Sequence, residues 1–382
     1  MVRFGIIGLG NMGREHVRWL PTVPGAELAA VCDIVPEKLD AYSNFQRFEN
    51  SADLIRSGLV DAVLIATPHY SHTTIGIDAL ENGLHVLTEK PISVHKADCE
   101  KLIAAYRSCP NKPVFGAMFN QRTGPNYQEI RRIVQSGELG PIQRVSWIIT
   151  DWFRTEAYYA SGGWRATWAG EGGGVLLNQC PHNLDLLQWI CGMPNRVRAF
   201  CTFGKYHDIE VEDEVTAYLE WPNGATGVFI ATTGEAPGTN RLEIAGDLGK
   251  LTYENGRITV FQTEAPVSQV NATSPNPFAV VPTTSKVTES LGSGPQHVGI
   301  IENFVRAIEQ EEPLIAPAEE GIHSVELANA MILSSITGQT VELPLDSEVY
   351  AAQLASLVEG STYQKTNVRE LVPDMTGSFG SV

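Results

Sequence analysis

Three glycines within six residues, set between a strand and a helix, constrain this chain more than any other feature. Phe4-Gly5-Ile6-Ile7 reads as a buried strand, and Gly8-Leu9-Gly10-Asn11-Met12-Gly13 follows it directly. A helical run comes next, and Leu28-Ala29-Ala30-Val31-Cys32 is a second strand that ends on Asp33. Gly8 suits a sharp turn off the strand. Gly10 leaves room for a pyrophosphate against the backbone, and Gly13 lets the helix lie close on the sheet. The phosphates then meet unpaired N–H groups at the positive helix end, so Asn11 and Met12 join the binding turn. Asp33 stands 20 residues after Gly13, where a carboxylate grips a ribose 2′-hydroxyl. Its charge, followed by uncharged Ile34, favours NAD over NADP, although Arg3 and Lys38 lie nearby in sequence.

At 382 residues the chain exceeds one ordinary core, so two domains are expected. A net charge of -17 disfavours nucleic-acid and anionic-membrane partners. The six cysteines form no C-x-x-C pair and no zinc spacing, so no metal site is expected and the thiols read as reduced. No apolar run is long enough to span a bilayer, and no basic leader precedes the first strand. The expected location is cytoplasmic.

Strand and helix alternate through residues 1–120, which predicts an α/β Rossmann domain with a parallel, doubly wound sheet. Strands are expected near 2–7, 28–33, 61–66, 85–88 and 114–118, and helices near 11–20, 36–46, 72–82 and 94–107, the third capped by Ser71. Residues 121–345 then read as an α+β domain with a large, mostly antiparallel open sheet, its strands near 142–151, 195–203, 211–221, 225–233, 239–246 and 249–253. Trp221-Pro222-Asn223-Gly224 marks a hairpin turn. Residues 263–295 read as a surface excursion with little regular structure, and 346–382 as a short helix and a polar tail.

Two stretches carry chemistry. Glu89-Lys90-Pro91 ends a strand, so Lys90 is expected at the carboxyl edge of the sheet, able to donate to the oxygen of a reacting alcohol or carbonyl. A salt bridge between Glu89 and Lys90 is the structural alternative. In Glu171-Gly172-Gly173-Gly174-Val175-Leu176-Leu177-Asn178-Gln179-Cys180-Pro181-His182-Asn183-Leu184-Asp185, the residues Asn178, His182 and Asp185 fall on one helical face if the helix begins near Asn178. Asp151, Trp152 and Arg154 with Tyr158, Tyr159 and Trp164 form an aromatic group suited to a carbohydrate, or simply to packing.

Taken in order, these pieces resemble the glucose–fructose oxidoreductase/inositol dehydrogenase (Gfo/Idh/MocA) family over about the whole chain. The resemblance rests on Gly8–Gly13, on Ala66-Thr67-Pro68 with His72, on Glu89-Lys90-Pro91 and on Gly172–Asp185. It implies an NAD(P)-dependent oxidoreductase acting on a sugar, cyclitol or related polyol, built as a homodimer or homotetramer on the open sheet. It makes Lys90 the active-site lysine and His182 the catalytic histidine. Asn178 stands where many members have aspartate, so Asp185 or a larger share for Lys90 is expected to compensate. Trp164-Arg165 resembles a pair that several members place near the cofactor, and Asn120-Gln121-Arg122 a segment that contacts the nicotinamide side or the substrate. The competing readings are a glycosidase that oxidises its substrate transiently and a non-catalytic NAD(P) sensor.

Overall fold

A computed structural model describes residues 1–365 and Val368, so the remainder of the expected polar tail lies outside the described residues. The first sheet contains β1 (Val2–Ile7), β2 (Ala26–Cys32), β3 (Gln46–Phe48), β4 (Ala62–Ile65), β5 (His85–Thr88) and β6 (Phe115–Ala117). Its order is β3-β2-β1-β4-β5-β6, and every pairing is parallel. β4, and β1 from Phe4 onward, are buried because helices lie on both faces, which is why they read as continuous apolar runs. The strand order reverses at β1 and β4, and a crevice opens beyond their carboxyl ends.

The second sheet contains β7 (Ile142–Ile149), β8 (Arg196–Phe203), β9 (Glu212–Glu220), β10 (Thr226–Thr232), β11 (Asn240–Gly246), β12 (Gly249–Glu254), β13 (Arg257–Thr263), β14 (Thr283–Thr288) and β15 (Val341–Glu342). Its order is β14-β13-β12-β11-β7-β10-β9-β8-β15. β7 and β10 run parallel and the other pairs antiparallel. Trp147, Phe229 and Leu242 face inward and are essentially buried. Helices cover that face. The helix Gly321–Thr337 is fixed to β8 by Ser334 and Ser335, whose hydroxyls accept from Ala199 N (3.0 Å) and Cys201 N (2.8 Å). The other face carries Phe200, Tyr218, Val228, Ile230 and Ile148, and no helix among the described residues covers it.

Several expectations are corrected. The stretch 36–46 is a 3₁₀ turn, Pro36–Tyr42, because only Leu39 is buried and no apolar face holds a regular helix. Ser71 is not a cap: the third helix is Tyr70–Glu81, and Pro68 already sets its first turn. Residues 263–295 contain the helix Val267–Thr273 and edge strand β14, whose Thr and Ser side chains are exposed and so lack alternation. The division at residue 120 does not follow the packing. Ile300, Ile301 and Phe304 of the helix Gln296–Gln310 are buried in the first core, where the rings of Phe304 and Phe4 lie 6.1 Å apart.

The helix expected to start near Asn178 is broken. Val175–Asn178 is a single turn, and a second helix, Pro181–Cys191, starts after Cys180. Pro181 cannot continue a helix, lacking the N–H and clashing with the preceding turn, but fits the first position of a new one. Asn178 and His182 therefore sit on separate elements.

Candidate active site

A cavity of about 1350 Å³ runs along the carboxyl ends of the first sheet and reaches the second domain. Gly8, Gly10, Asn11 and Met12 line one end. Gly8 has φ +94°, and a Cβ there would lie 2.7 Å from the Ala66 carbonyl. A Cβ on Gly13 would lie 1.8 Å from the Gly8 carbonyl oxygen, so Gly13 serves the close packing and does not line the cavity. At Gly10 a Cβ would enter open space, where the fold leaves room for a phosphate at the start of the helix Asn11–Trp19.

Asp33 is held at this end by Leu9 N (2.7 Å), Val35 N (2.9 Å) and the Lys38 ammonium (3.4 Å). The carboxylate thus ties the glycine turn to the end of β2. Ala66, Thr67 and Pro68 line the cavity beyond β4. The His72 ring lies 2.8 Å from both Thr67 O and Pro91 O, joining the segments after β4 and β5. These residues fit a dinucleotide: open space at Gly10, a helix start, and a carboxylate at the ribose position.

The other end gathers Lys90, Asn120, Gln121, Trp152, Arg154, Tyr158, Trp164, Arg165, Asn178 and His182. Lys90 precedes a cis peptide bond to Pro91 and donates from Nζ to Asn178 O at 2.9 Å. Burial lowers its pKa, and the charges of Glu89 and Glu171 act in the opposite sense. Glu89 does not pair with the lysine side chain. It is buried, meets His16 Nε2 at 2.7 Å, and accepts from Lys90 N at 3.2 Å. Burial opposes its ionisation, yet the His16 hydrogen bond and charge hold its pKa at about 2. The surface salt-bridge alternative therefore fails. His182 Nδ1 is buried with no protein partner among the described residues, and its ring packs edge-on to Phe119. Burial, then the charges of Lys90 and His297, hold its pKa well below the ordinary imidazole value.

Asn178 does not orient His182. Its Nδ2 donates to Glu171 Oε1, and its Oδ1 accepts from the Tyr158 hydroxyl at 3.2 Å. Tyr158 also accepts from Arg165 (2.7 Å) and Gln179 (3.0 Å). Glu171 is 1 % exposed and takes the Ala166 N–H at 2.5 Å on its other oxygen.

Four residues expected at the substrate are elsewhere. Arg122 and Asp185 form a buried, two-pronged ion pair at 2.6 and 2.7 Å, and Arg122 also meets Glu320 at 2.5 Å. Neither lines the cavity, and Asp185 is not available to compensate for Asn178. Tyr159 is buried and bonds Thr233 Oγ1 at 2.7 Å. Asp151 is half-buried outside the cavity wall, with Oδ1 enclosed. Sequence reasoning gave no role to Glu171, although it opens the glycine run. Nothing in the sequence linked Gln296 and His297 to this cavity, because they reach it from a helix distant in the chain.

A family model described as "Oxidoreductase family, NAD-binding Rossmann fold" matches residues 2–115, and a GFO/IDH/MocA C-terminal domain model matches residues 127–252. The chain is similar to the inositol 2-dehydrogenase of Salmonella typhimurium, 34% identical over 145 residues that make up 36% of this chain and 43% of that protein. That match spans less than half of the relative's length. Similarity to the inositol 2-dehydrogenase of Rhizobium meliloti is 24% identity over 87% of this chain and 96% of the relative. Among solved structures, the WlbA dehydrogenase from Chromobacterium violaceum in complex with NADH and UDP-GlcNAcA has a TM-score of 0.77 at 28% identity, covering 90% of this chain and 96% of that one. Levoglucosan dehydrogenase in complex with NADH shares the fold, with a TM-score of 0.73 at 22% identity over 90% and 99% of the two chains.

Proposed function

The chain belongs to the GFO/IDH/MocA oxidoreductase family, and on that premise we propose that it is an NAD-dependent dehydrogenase of a sugar, cyclitol or related polyol. The observation that carries this reading is the shared cavity: Lys90 and His182 line the same space as the Gly8–Gly10 turn. Bound NAD⁺ supplies the hydride acceptor at its nicotinamide ring. His182, kept uncharged at neutral pH, accepts the hydroxyl proton as the C–H bond breaks and the carbonyl forms. Lys90 donates to that oxygen and stabilises its developing negative charge. Reduction reverses both roles. Trp152, Tyr158 and Trp164 offer apolar faces to the ring carbons.

We place the protein in the cytoplasm, since all six cysteines are free. Among the described residues no helix is long and apolar enough to cross a membrane. The partner proposed for the uncovered sheet face is a second copy of the chain.

A stereochemically varied panel of polyols and sugars, followed by absorbance of reduced nicotinamide, tests the reading. Turnover is expected for at least one class, with losses of roughly 10²–10⁴-fold in Lys90→Ala and His182→Ala. Turnover that survives both substitutions would falsify the assignment. Glycoside cleavage with no net NADH would instead favour the transient-oxidation mechanism.

A further inference from the structure

The reacting end of the cavity is unevenly charged. Lys90, Arg154 and Arg165 all line it, whereas the lining carboxylates are Asp33, Glu37 and Glu89. Asp33 is held beside the glycine turn and Lys38, Glu37 lies on the segment after β2, and Glu89 is turned to His16. Glu171 lies behind the wall, 3.7 Å from Arg165 and bonded to Asn178. It offsets part of the charge of Lys90 and Arg165.

Arg154 makes no ion pair among the described residues, and the Asp151 carboxyl feels its charge only at longer range. Its guanidinium carbon lies 5.2 Å from the Trp152 ring centre and 5.1 Å from that of Tyr158. Its side chain donates to the neighbouring Phe153 carbonyl at 2.9 Å. No carboxylate stands within ion-pair distance of it among the described residues. A guanidinium has five N–H donors in a planar fork, and two flanking rings hold that plane without using its edge. Hydroxyls alone leave this charge unmatched, whereas a carboxylate accepts two parallel N–H bonds from it. The surrounding protein carries a net charge of -17, so this local excess of cations is set against the global sign.

We propose that the substrate is a sugar acid, with Arg154 binding its carboxylate while Trp152 and Tyr158 flank the carbon skeleton. This rests on the reading of the site as a sugar dehydrogenase and narrows it from neutral polyols to aldonates or uronates. A phosphate dianion is the less suitable anion, because the charges of Lys90 and Arg165 are partly offset by Glu171 and only the single fork of Arg154 is left for a ligand.

Matched pairs test it: D-glucose against D-glucuronate and D-galactose against D-galacturonate, with myo-inositol and glucose 6-phosphate alongside. The expected result is a kcat/KM with NAD⁺ at least tenfold higher for the acid of a pair at low ionic strength. That ratio is expected to fall at least tenfold in Arg154→Gln and to fall less in Arg154→Lys. Neutral sugars turned over as well as the acids, or a ratio unmoved in Arg154→Gln, overturn the inference and leave the dehydrogenase reading standing. A preference for glucose 6-phosphate over both acids also overturns it. If no compound is turned over, that reading fails on this panel, and binding to the NADH complex decides the inference. Saturable quenching of NADH fluorescence by D-glucuronate, absent in Arg154→Gln, supports it; no quenching, or equal quenching by D-glucose, overturns it.

Discussion

The side-chain amide of Asn178 is held at both ends, donating to the Glu171 carboxylate and accepting from the Tyr158 hydroxyl at 3.2 Å. An aspartate at 178 would place a second carboxylate against Glu171, whose pKa burial already raises. Amide and carboxylate thus divide between two residues what two neighbouring carboxylates cannot both do while ionised. In Asn178→Asp the pair is expected to retain a shared proton, with a folded-state pKa above that of the unfolded chain. Folded protein then binds the extra proton, so the variant loses stability relative to wild type as pH rises. Melting temperatures of the two proteins from pH 5 to 8 check this; a gap that closes with rising pH would sink it. Because the Asn178 side chain bonds Glu171 and Tyr158 and not His182, the acidic limb of the pH–rate profile is not expected to move through His182.

Glu171→Gln tests the same contact from the other side. Glu171 raises the pKa of Lys90, so its removal lowers that pKa further. The alkaline limb for the step that needs the ammonium is expected at lower pH, with turnover reduced on the order of 10²-fold as Asn178 and the Lys90 contact shift. A purely structural role predicts lost stability with an unmoved alkaline limb.

Arg122 and Asp185 are predicted to serve folding. Both side chains are 1 % exposed; removing Arg122 leaves the Asp185 carboxylate buried without its cation, and removing Asp185 leaves Arg122 only its contact with Glu320. Arg122→Ala or Asp185→Ala is expected to cost about 3–5 kcal/mol in denaturant unfolding. Unchanged stability with a raised KM would return them to the substrate site.

Spacing along the chain made the first sheet and the cofactor turn legible, because both are local. Gly8, Gly10, Gly13 and Asp33 belong to one strand–helix–strand unit, and β4 throughout and β1 from Phe4 onward are apolar because they are covered on both faces. The reacting end was only half legible. Lys90 and His182 lie within recognisable motifs, but the partner of each polar group depends on which distant segments meet. Arg122 and Asp185 are charged and close to a motif, and so were expected at the substrate; that they neutralise each other across 63 positions is a property of the fold. β14 escaped notice because an exposed edge strand of Thr and Ser has no buried face to impose a period of two.

Glu212 is predicted to set a pH dependence of stability. It is fully buried beside the glycine run, with Oε1 accepting from Gly174 N (2.8 Å) and Leu176 N (3.0 Å). Burial raises its pKa to about 7, well above the usual carboxylate range. A carboxyl raised on folding stabilises fully below its unfolded pKa, and that contribution is lost as pH rises through the folded value. Glu212→Gln keeps the acceptor and removes the titration. Its stability relative to wild type is therefore expected to grow between about pH 5 and pH 7. Parallel melting curves for the two proteins would count against this assignment.

Asp33 is predicted to exclude NADP. In Asp33→Ser the negative charge disappears and the Lys38 ammonium, 3.4 Å away in the native protein, becomes available to a 2′-phosphate. The ratio of NADP to NAD affinity is expected to rise roughly tenfold or more, equivalent to about 1.4 kcal/mol. Absolute NAD affinity falls as well, because Asp33 also holds Leu9 N and Val35 N. Titration of both cofactors decides it, and a wild type that binds NADP more tightly than NAD rejects the reading outright.

The uncovered face of the second sheet is predicted to bind a second copy of the chain. Across neighbouring strands, register aligns Phe200 with Thr216, Thr216 with Ile230 and Ile230 with Ile148, and Tyr218 pairs with Val228 in the adjacent row. Phe200 is 61% and Tyr218 42% exposed, which leaves two large rings facing water. Charged side chains flank this strip: Arg198 lies over Phe200, and Arg144 and Arg241 pair with Glu243. An apolar centre with a paired, charged rim is the anatomy of a protein–protein contact. A two-fold arrangement would bring the same strip onto itself, and a stable contact needs about 800 Å² from each partner. Neither Phe200 nor Ile230 lines the cavity or joins the buried core, so Phe200→Glu and Ile230→Glu are expected to leave the fold intact. Either variant should move the sedimentation coefficient at micromolar concentration toward that of a monomer, and the double variant further. A wild type that sediments as a monomer there would show that this face is left to water.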